Sequence, residues 1–545
     1  MSKINLVCEN LSYSVGDRKL FNNLSISLGR EKTGLVGSNG VGKTTLIRLL
    51  VGELKPETGI VYSSGKIGLT SVATKGVVCY LPQNFTVDPE KTISSVLGIE
   101  EKIKAFENIN SGNGTDFDFE IIGQDWDFKQ RAEKTLHQCN LSELNLSRKI
   151  KTLSGGQITR VFFASLLMQE PDFLILDEPT NNLDYESRLA LYDIIKNSNL
   201  GFLIVSHDRQ LLSLMDQILE LSSLGIKSYG GNYADYVEQK RIEQEALKQD
   251  ITDAKKGLSK TKKIVQKSKE AFDKRVAMGN KARKSGSQPK MLLDYHKNRA
   301  EVTKSKLERR TDKQLESVKN KFIEAKSKLE QKDFLDFELE ATRVHNTKKV
   351  LEIQNLTFAY PDCKPCISNF NLTIVGPKRI EISGKNGSGK TTLLKLINKK
   401  LEPNSGFINI GVELFAYLDQ FLSILDPDLS VLENFKKLNP ETKETDCRLR
   451  LAAFLFEHDA ALNKVKNLSG GERMKAALAC VLMGDTPPQL ILLDEPTNNM
   501  DLDSIASMEK ALKNYKGALI VVSHDETFLQ NIGVEEKIDF DMLKA

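Results

Sequence analysis

Two kinds of apolar pattern alternate along this chain. Phe173-Leu174-Ile175-Leu176 and Leu490-Ile491-Leu492-Leu493 are unbroken apolar runs that each stop at an aspartate. Ile204-Val205 and Leu519-Ile520-Val521-Val522 close runs that stop at Ser-His-Asp. Runs of this length without polar alternation predict strands buried on both faces, as in a parallel sheet covered by helices. Their polar ends then fall at the carboxyl edge of the sheet, where open α/β folds place their chemistry. Residues 234 to about 345 change period. Ile251, Leu258, Val265 and Phe272 form one heptad row, and Leu247, Ala254, Thr261 and Ser268 the other. Leu315, Val318, Phe322, Ala325 and Leu329 repeat the spacing on the way back, which predicts an antiparallel coiled-coil hairpin with arms of about 75 Å. The polar members of the second row weaken the seam towards the tip.

The apolar runs belong to a motif series that occurs twice. Gly37-Ser38-Asn39-Gly40-Val41-Gly42-Lys43-Thr44-Thr45 and Gly384-Lys385-Asn386-Gly387-Ser388-Gly389-Lys390-Thr391-Thr392 both fit G-x-x-x-x-G-K-[ST]. Such a loop turns successive backbone N–H groups onto phosphates, and the helix behind it adds its positive end. Lys43 and Lys390 are placed to reach the β- and γ-phosphates of a nucleotide, and Thr44 and Thr391 to offer hydroxyls to Mg²⁺. Each loop is followed by a glutamine after an apolar segment (Gln83, Gln420), then by Leu-Ser-Gly-Gly (Ser154, Gly155, Gly156; Ser469, Gly470, Gly471). Asp177-Glu178 and Asp494-Glu495 come next, then Asn181-Asn182-Leu183-Asp184 and Asn498-Asn499-Met500-Asp501, then His207 and His524. Asp177 and Asp494 are expected to hold the magnesium shell. Alternation along an extended strand would turn Glu178 and Glu495 away from them, towards an attacking water, which makes both the expected general bases.

The whole series resembles the ATP-binding cassette superfamily, and within it the ABC-F branch, in which two cassettes share one chain with a charged two-helix linker and no membrane domain. The resemblance covers nearly all 545 residues. It implies an α/β fold of two P-loop cassettes, 1–233 and 346–545, joined by a helical-hairpin linker, 234–345. It also implies an ATPase that uses ATP and Mg²⁺, with Gln83 and Gln420 near the ion and His207 and His524 on the γ-phosphate. Each nucleotide would be sandwiched between the loop of one cassette and the signature of the other. Lys43, Asp177 and Glu178 would face Ser469-Gly470-Gly471, and Lys390, Asp494 and Glu495 would face Ser154-Gly155-Gly156, in a monomer that closes on itself. The base-stacking aromatic is matched by Tyr360 in the second half. In the first half the same register holds Val15, with Tyr13 two residues earlier. Asn182 and Asn499 stand where the family often has histidine, with no change of chemistry expected.

Composition narrows the setting. Hydrophobic residues make up 40% and charged residues 28%, as in ordinary globular domains. Longest apolar runs fall well short of the roughly 18 residues that span a bilayer, and the first residues read as a strand rather than a signal peptide. Seven scattered cysteines suit free thiols in a reducing compartment, so the cytoplasm is the expected location. Cys363-Lys364-Pro365-Cys366 is read as a turn between strands. The net charge of +4 is unevenly spread: residues 251–310 carry 19 Lys and Arg against 6 Asp and Glu, so everything else nets −9. A concentrated basic segment on a mildly acidic body points to a polyanion.

Gly279 to Arg299, between the two arms, mixes helix breakers with Lys281, Arg283, Lys284, Lys290, Lys297 and Arg299. That composition suits folded RNA, read by phosphate contact and stacking. In ABC-F proteins this element approaches P-site tRNA and the peptidyl-transferase centre, which implies a ribosomal partner and a role in translation or in protection from antibiotics. A hairpin that merely spaces two ATPases is the competing reading, as are the ATPase subunit of a transporter and a DNA-associated ATPase. Gln83 to Ser154 spans 71 positions against 49 from Gln420 to Ser469. The first cassette therefore carries about 22 extra residues near Asn108–Trp126, expected to form at most a stub.

Overall fold

The computed structural model describes residues 6–63, 78–83, 88–181, 183–284, 309–310, 312–320, 322–323, 339, 342–361, 364–456 and 458–540. The chain forms two compact units, Met1–Asp235 together with Phe334–Ala545, and Tyr236–Asp333.

Within the first unit the same architecture is built twice. In the N-terminal half, β1 (Leu6–Val15), β2 (Arg18–Leu28), β3 (Lys32–Val36), β4 (Thr58–Ser63), β5 (Val78–Leu81), β6 (Phe173–Asp177), β7 (Gly201–Val205), β8 (Gln217–Ser222) and β9 (Gly225–Gly230) form two sheets among the described residues. One is antiparallel, ordered β2-β1-β4. The other is ordered β5-β6-β7-β3-β8-β9, parallel except for the last pair. The C-terminal half repeats this with β10 (Lys349–Phe358), β11 (Ile367–Val375), β12 (Arg379–Ser383), β13 (Ser405–Ile410), β14 (Phe415–Leu418), β15 (Leu490–Asp494), β16 (Ala518–Val522) and β17 (Glu536–Asp539). Its sheets are ordered β11-β10-β13 and β14-β15-β16-β12-β17. Every residue of β6, β7, β15 and β16 is buried. Continuous apolar runs therefore become central parallel strands, as their lack of alternation requires.

Helices cover both faces, and their starts are set by local chemistry. Gly42 and Gly389, at φ +109° and +110°, turn each P-loop into the helices Lys43–Leu50 and Lys390–Ile397. Ser154 and Ser469 cap the helices Gly155–Leu167 and Gly470–Leu482 with reciprocal capping boxes to Gln157 and Glu472. The second glycine of each signature is required by packing. A Cβ on Gly156 would lie 2.0 Å from Ser187 Oγ, and one on Gly471 2.3 Å from Ser504 Oγ. The extra residues of the first half form a short helical element. They fold as the helices Glu100–Asn110 and Asp116–Ile122, the second held by a capping box between Thr115 and Asp118. Phe117, Phe119 and Trp126 remain exposed there.

In the second unit, the helix Tyr233–Lys284 runs for 52 residues. Leu247, Ile251, Ala254, Leu258, Thr261, Val265 and Ser268 are half-buried, while the lysines between them, such as Lys255, Lys262 and Lys269, are exposed. The seam follows the expected heptad rows. Leu315, Val318 and Phe322 are half-buried at the same spacing. Residues 285–299 of the tip, together with Ala325 and Leu329, lie outside the described residues. None of the described helices is long and apolar enough to cross a membrane.

Candidate functional site

Two cavities of similar size open at the carboxyl ends of the parallel strands, one per P-loop. The first, about 430 Å³, is lined by Asn39, Lys43, Thr44, Gln83, Asp177, Glu178 and His207, among others. The second, about 440 Å³, is lined by Tyr360, Lys390, Thr391, Gln420, Asp494, Glu495 and His524. Gly40, Gly42 and Thr45 border the first as well, and Asn386, Gly387, Ser388, Gly389 and Thr392 the second.

The same contacts recur in both. Lys43 Nζ donates to the carbonyls of Gly37 at 2.6 Å and Ser38 at 3.3 Å, and Lys390 Nζ to those of Gly384 at 2.6 Å and Lys385 at 3.0 Å. Each ammonium is thus held inside its own loop. Thr44 Oγ1 donates to Asp177 Oδ2 at 2.9 Å, and Thr391 Oγ1 to Asp494 Oδ1 at 3.2 Å. A hydroxyl and a carboxylate side by side offer two oxygen ligands. Mg²⁺ typically takes one or two protein ligands and completes its six from water and phosphate, so this donor pair fits it. Among the described residues no cluster of three or more His, Cys, Asp or Glu could hold a metal by itself. Burial raises the proton affinity of Asp177 and Asp494, with the neighbouring threonines and lysines opposing.

Glu178 and Glu495 reach their positions by a route that strand alternation does not describe. β6 and β15 end at Asp177 and Asp494, and the next residue turns left-handed, at φ +50° for Glu178 and +48° for Glu495. The turn is held by Glu178 N–H donating to Val205 O and Glu495 N–H to Val522 O, both at 2.8 Å. A positive φ on a residue with a long side chain is uncommon and collects at functional sites. It sends each glutamate towards histidine while the preceding aspartate faces threonine. His207 Nε2 lies 3.3 Å from Glu178 Oε1, and His524 Nε2 3.3 Å from Glu495 Oε1. Neither ring nitrogen makes a hydrogen bond there, and His207 Nδ1, Glu495 Oε2 and Ser388 Oγ are likewise buried without a partner. Burial, then the nearby Lys43, keeps His207 neutral, with its pKa down at about 3; burial and Lys390 do the same to His524. Burial pushes Glu178 up to about 8 and Glu495 up to about 7. Buried polar atoms facing a cavity without partners call for a polar ligand, and a loop lysine beside them calls for an anion.

Each cavity is closed by the opposite half of the chain. Asn39 N–H donates to Asp501 Oδ2 and Asn39 Nδ2 to Asn499 O, both at 2.9 Å, while Asn181 Nδ2 reaches Asn499 Oδ1 at 3.4 Å. On the other side the backbone N–H of Asn386 donates to Asp184. Asn499 is left-handed at φ +59°, a conformation asparagine tolerates, so this position acquires a role between halves that the sequence did not suggest. Asn182 lies outside the described residues. Ser154 and Ser469 lie outside both cavity linings, and their hydroxyls are engaged in their own helix caps, Ser154 Oγ with Gln157 N–H and Ser469 Oγ with Glu472.

Several contributors went unread in the sequence. Tyr417 OH donates to Asp494 Oδ2 at 3.2 Å, and its ring carries Lys400 at 5.3 Å. The recurrence of Tyr80 and Tyr417 three residues before each glutamine was the available signal. Tyr13 packs against the core, leaving Val15, Arg18 and Leu20 at the mouth of the first cavity. Tyr360 borders the second, its hydroxyl 3.1 Å from Thr392 Oγ1. Arg188 and Leu183 line the second cavity from the first half of the chain.

Comparison with known proteins agrees with this geometry. A family described as ABC transporter matches residues 21–181 and 367–498. YdiF of Bacillus subtilis (strain 168), named as an ATP-binding protein, is 31% identical over 97% of this chain and 78% of its own length. The ABC transporter F family member 5 of Arabidopsis thaliana is 28% identical over 92% of this chain and 70% of its own. The ATP-binding protein Uup of Haemophilus influenzae is 28% identical over 98% and 78%. Among solved structures, an archaeal ribosome recycling factor in complex with the archaeal ribosomal stalk protein aP1 superposes with a TM-score of 0.51. It is 19% identical and covers 97% of this chain and 87% of that one, a likeness of fold. With two matched cassettes, these relatives and two P-loop cavities on one chain, the protein belongs to the ATP-binding cassette family, in its ABC-F branch, and is an ATPase that binds and hydrolyses ATP.

Proposed function

We propose that the two halves clamp a pair of ATP molecules and that the clamped state binds the ribosome through the basic hairpin. The contact of Asn39 with Asp501 and Asn499 carries this reading. It joins one P-loop to the opposite half, so a nucleotide in either cavity touches the machinery of both. The working divisions are 1–233 and 346–545 for the cassettes and 234–345 for the linker, in a cytoplasmic monomer.

In each site the P-loop backbone and Lys43 or Lys390 hold the phosphates, and Thr44 with Asp177, or Thr391 with Asp494, hold Mg²⁺, aided by Gln83 or Gln420. Bound there, the ion neutralises charge on the phosphates. Glu178 and Glu495 take the proton from the attacking water; burial raises their affinity for it, which suits a general base working near neutral pH. Neutral His207 and His524 are positioned to hydrogen-bond the γ-phosphate. Ser154-Gly155-Gly156 and Ser469-Gly470-Gly471 complete the opposite sites on full closure. Hydrolysis removes the group that bridges the halves and so releases the clamp.

The hairpin supplies the direction of action. Its exposed lysines and net +13 favour rRNA and P-site tRNA, through which it would tune the peptidyl-transferase region in translation or protect it from antibiotics. Co-sedimentation tests this. The Glu178→Gln/Glu495→Gln protein with ATP is expected to pellet with ribosomes, and a variant lacking residues 251–310 is not. Equal pelleting of both, retention by detergent-solubilised membranes, or preference for duplex DNA would overturn it.

A further inference from the structure

We infer that Arg188 is a positioning residue supplied by the first cassette to the ATP site of the second, and that nothing equivalent is returned, so the two sites are unequal. The inference rests on the two-site reading above. Arg188 stands four residues after Asp184 on the helix Tyr185–Asn197 and is 9% exposed. Its Nε donates to Leu183 O at 3.2 Å, and its Nη1 donates to His524 O at 3.4 Å and lies 3.7 Å from Asp208 Oδ2. One guanidinium thus spans the gap between the halves. Its Nη1 holds the carbonyl of the histidine that faces Glu495 and lies within ion-pair distance of the carboxylate next to His207, the histidine of the first site, while its Nε is fixed on the first cassette's own backbone at Leu183.

Asp208 is itself firmly placed. It caps the helix Arg209–Leu212 through the N–H groups of Gln210 and Leu211 and accepts from Tyr192 OH. Arg188, bonded through Nε to Leu183 O and paired with this fixed carboxylate, therefore takes its position from the first cassette, as planar, multi-donor guanidinium groups do well. The pseudo-symmetric position, four residues after Asp501, is Ile505, a buried aliphatic residue 2% exposed. It offers no donor to the His207 carbonyl. The first site closes through Asn39, Asp501 and Asn499, and among the described residues that line it none is an arginine from the second half.

The consequence is kinetic. Arg188 bonds the backbone of a residue facing the general base and does not sit in the P-loop, so its loss should appear in kcat rather than in KM. Site-isolated proteins separate the two sites: Glu178→Gln leaves the second active, Glu495→Gln the first. Adding Arg188→Ala is expected to lower kcat of the second site roughly 10- to 100-fold, the usual weight of a charge-assisted hydrogen bond, with KM changed less than threefold. The first site should lose less than threefold. Arg188→Lys, which keeps the charge and one donor direction, should recover part of the loss. Equal losses in both backgrounds, or a loss carried by KM, would overturn the inference, since a general interface residue would behave so. Should Arg188→Ala fail to fold, Arg188→Lys decides the matter by the same comparison. Turnover in the Glu178→Gln/Glu495→Gln double variant would instead refute the two-site reading itself.

Discussion

Arg209 and Glu509 form a buried ion pair between the two cassettes. Arg209 Nη1 lies 2.6 Å from Glu509 Oε1 and Nη2 3.3 Å from Oε2, a forked pair whose side chains are only 8% and 12% exposed. Glu509→Gln removes the negative charge and leaves the guanidinium buried. Such truncations cost about 3–5 kcal/mol, because the surviving charge loses its partner without regaining water. When the cassettes separate, Arg209 is hydrated again, so the cost falls on closure alone. At about 1.4 kcal/mol per tenfold, the lower figure shifts the closed-to-open ratio by roughly 150-fold.

Closure precedes hydrolysis in the proposed cycle, so kcat/KM for ATP should fall by about two orders of magnitude. Energy transfer between dyes on the two cassettes should report the open form at ATP concentrations that close the parent protein. The decisive comparison is the apolar double variant Arg209→Met/Glu509→Leu. Replacing both partners strands no charge and often costs little, so it should outperform Glu509→Gln. If Glu509→Gln stays within threefold of the parent, the pair does not govern closure. If the double variant is as poor as the single, the stranded-charge argument fails.

Other outcomes follow from particular contacts. Gly156→Ala should destabilise the first cassette by roughly 1–3 kcal/mol in thermal unfolding, because its Cβ meets Ser187 Oγ at 2.0 Å; Gly155→Ala, with nothing within 4 Å, should stay near the parent. Thr391→Ala should raise the Mg²⁺ concentration needed for half-maximal turnover in the Glu178→Gln background, Thr391→Ser should restore it, and chelation should stop hydrolysis in all of them. Tyr417→Phe removes a donor to Asp494 and should slow the second site several-fold, roughly the effect of one lost hydrogen bond, without changing the melting temperature by more than a few degrees. Burial pushes the Cys8 and Cys79 thiols up to about 11 and Cys139 up to about 12. They remain protonated at pH 8, so in a Cys363→Ser background thiol reagents should label Cys366 first, and ATP should protect it because Cys366 borders the second cavity.

Fold and cavities were legible to different depths, for identifiable physical reasons. The parallel strands could be read because burial on both faces leaves a continuous apolar run, and β6, β7, β15 and β16 are buried throughout. The P-loops could be read because the phosphate cradle constrains glycine and lysine at fixed spacing. The left-handed turn at Glu178 and Glu495 could not be read, since it lies one residue beyond the strand and leaves no mark on a glutamate's identity. The helices of the insertion could not be read, because Asp116–Ile122 depends on the Thr115–Asp118 box and on Asn108 donating to Asp118. Both are pairings rather than runs.

What the repeats share and where they differ carry separate information. Lysine, threonine, aspartate, glutamate and histidine recur in both halves and line both cavities, so they specify chemistry. Some interface residues recur as well, Asn39 with Asn386 and Asp501 with Asp184, but others do not. Arg188 is matched by Ile505, Arg209 by Glu526, and Glu509 by Tyr192. Those substitutions place both arginines on the first cassette and an acceptor for one of them on the second. A symmetric clamp would form the same ion pair twice, since in a two-fold interface residue i meets j and j meets i. Here the pair is formed once, between Arg209 and Glu509, and at the equivalent positions stand Glu526 and Tyr192, whose hydroxyl donates to Asp208. The differences between the two copies, rather than their similarity, therefore decide which site senses closure, and only the register of one half against the other reveals the partners, 300 or more positions apart.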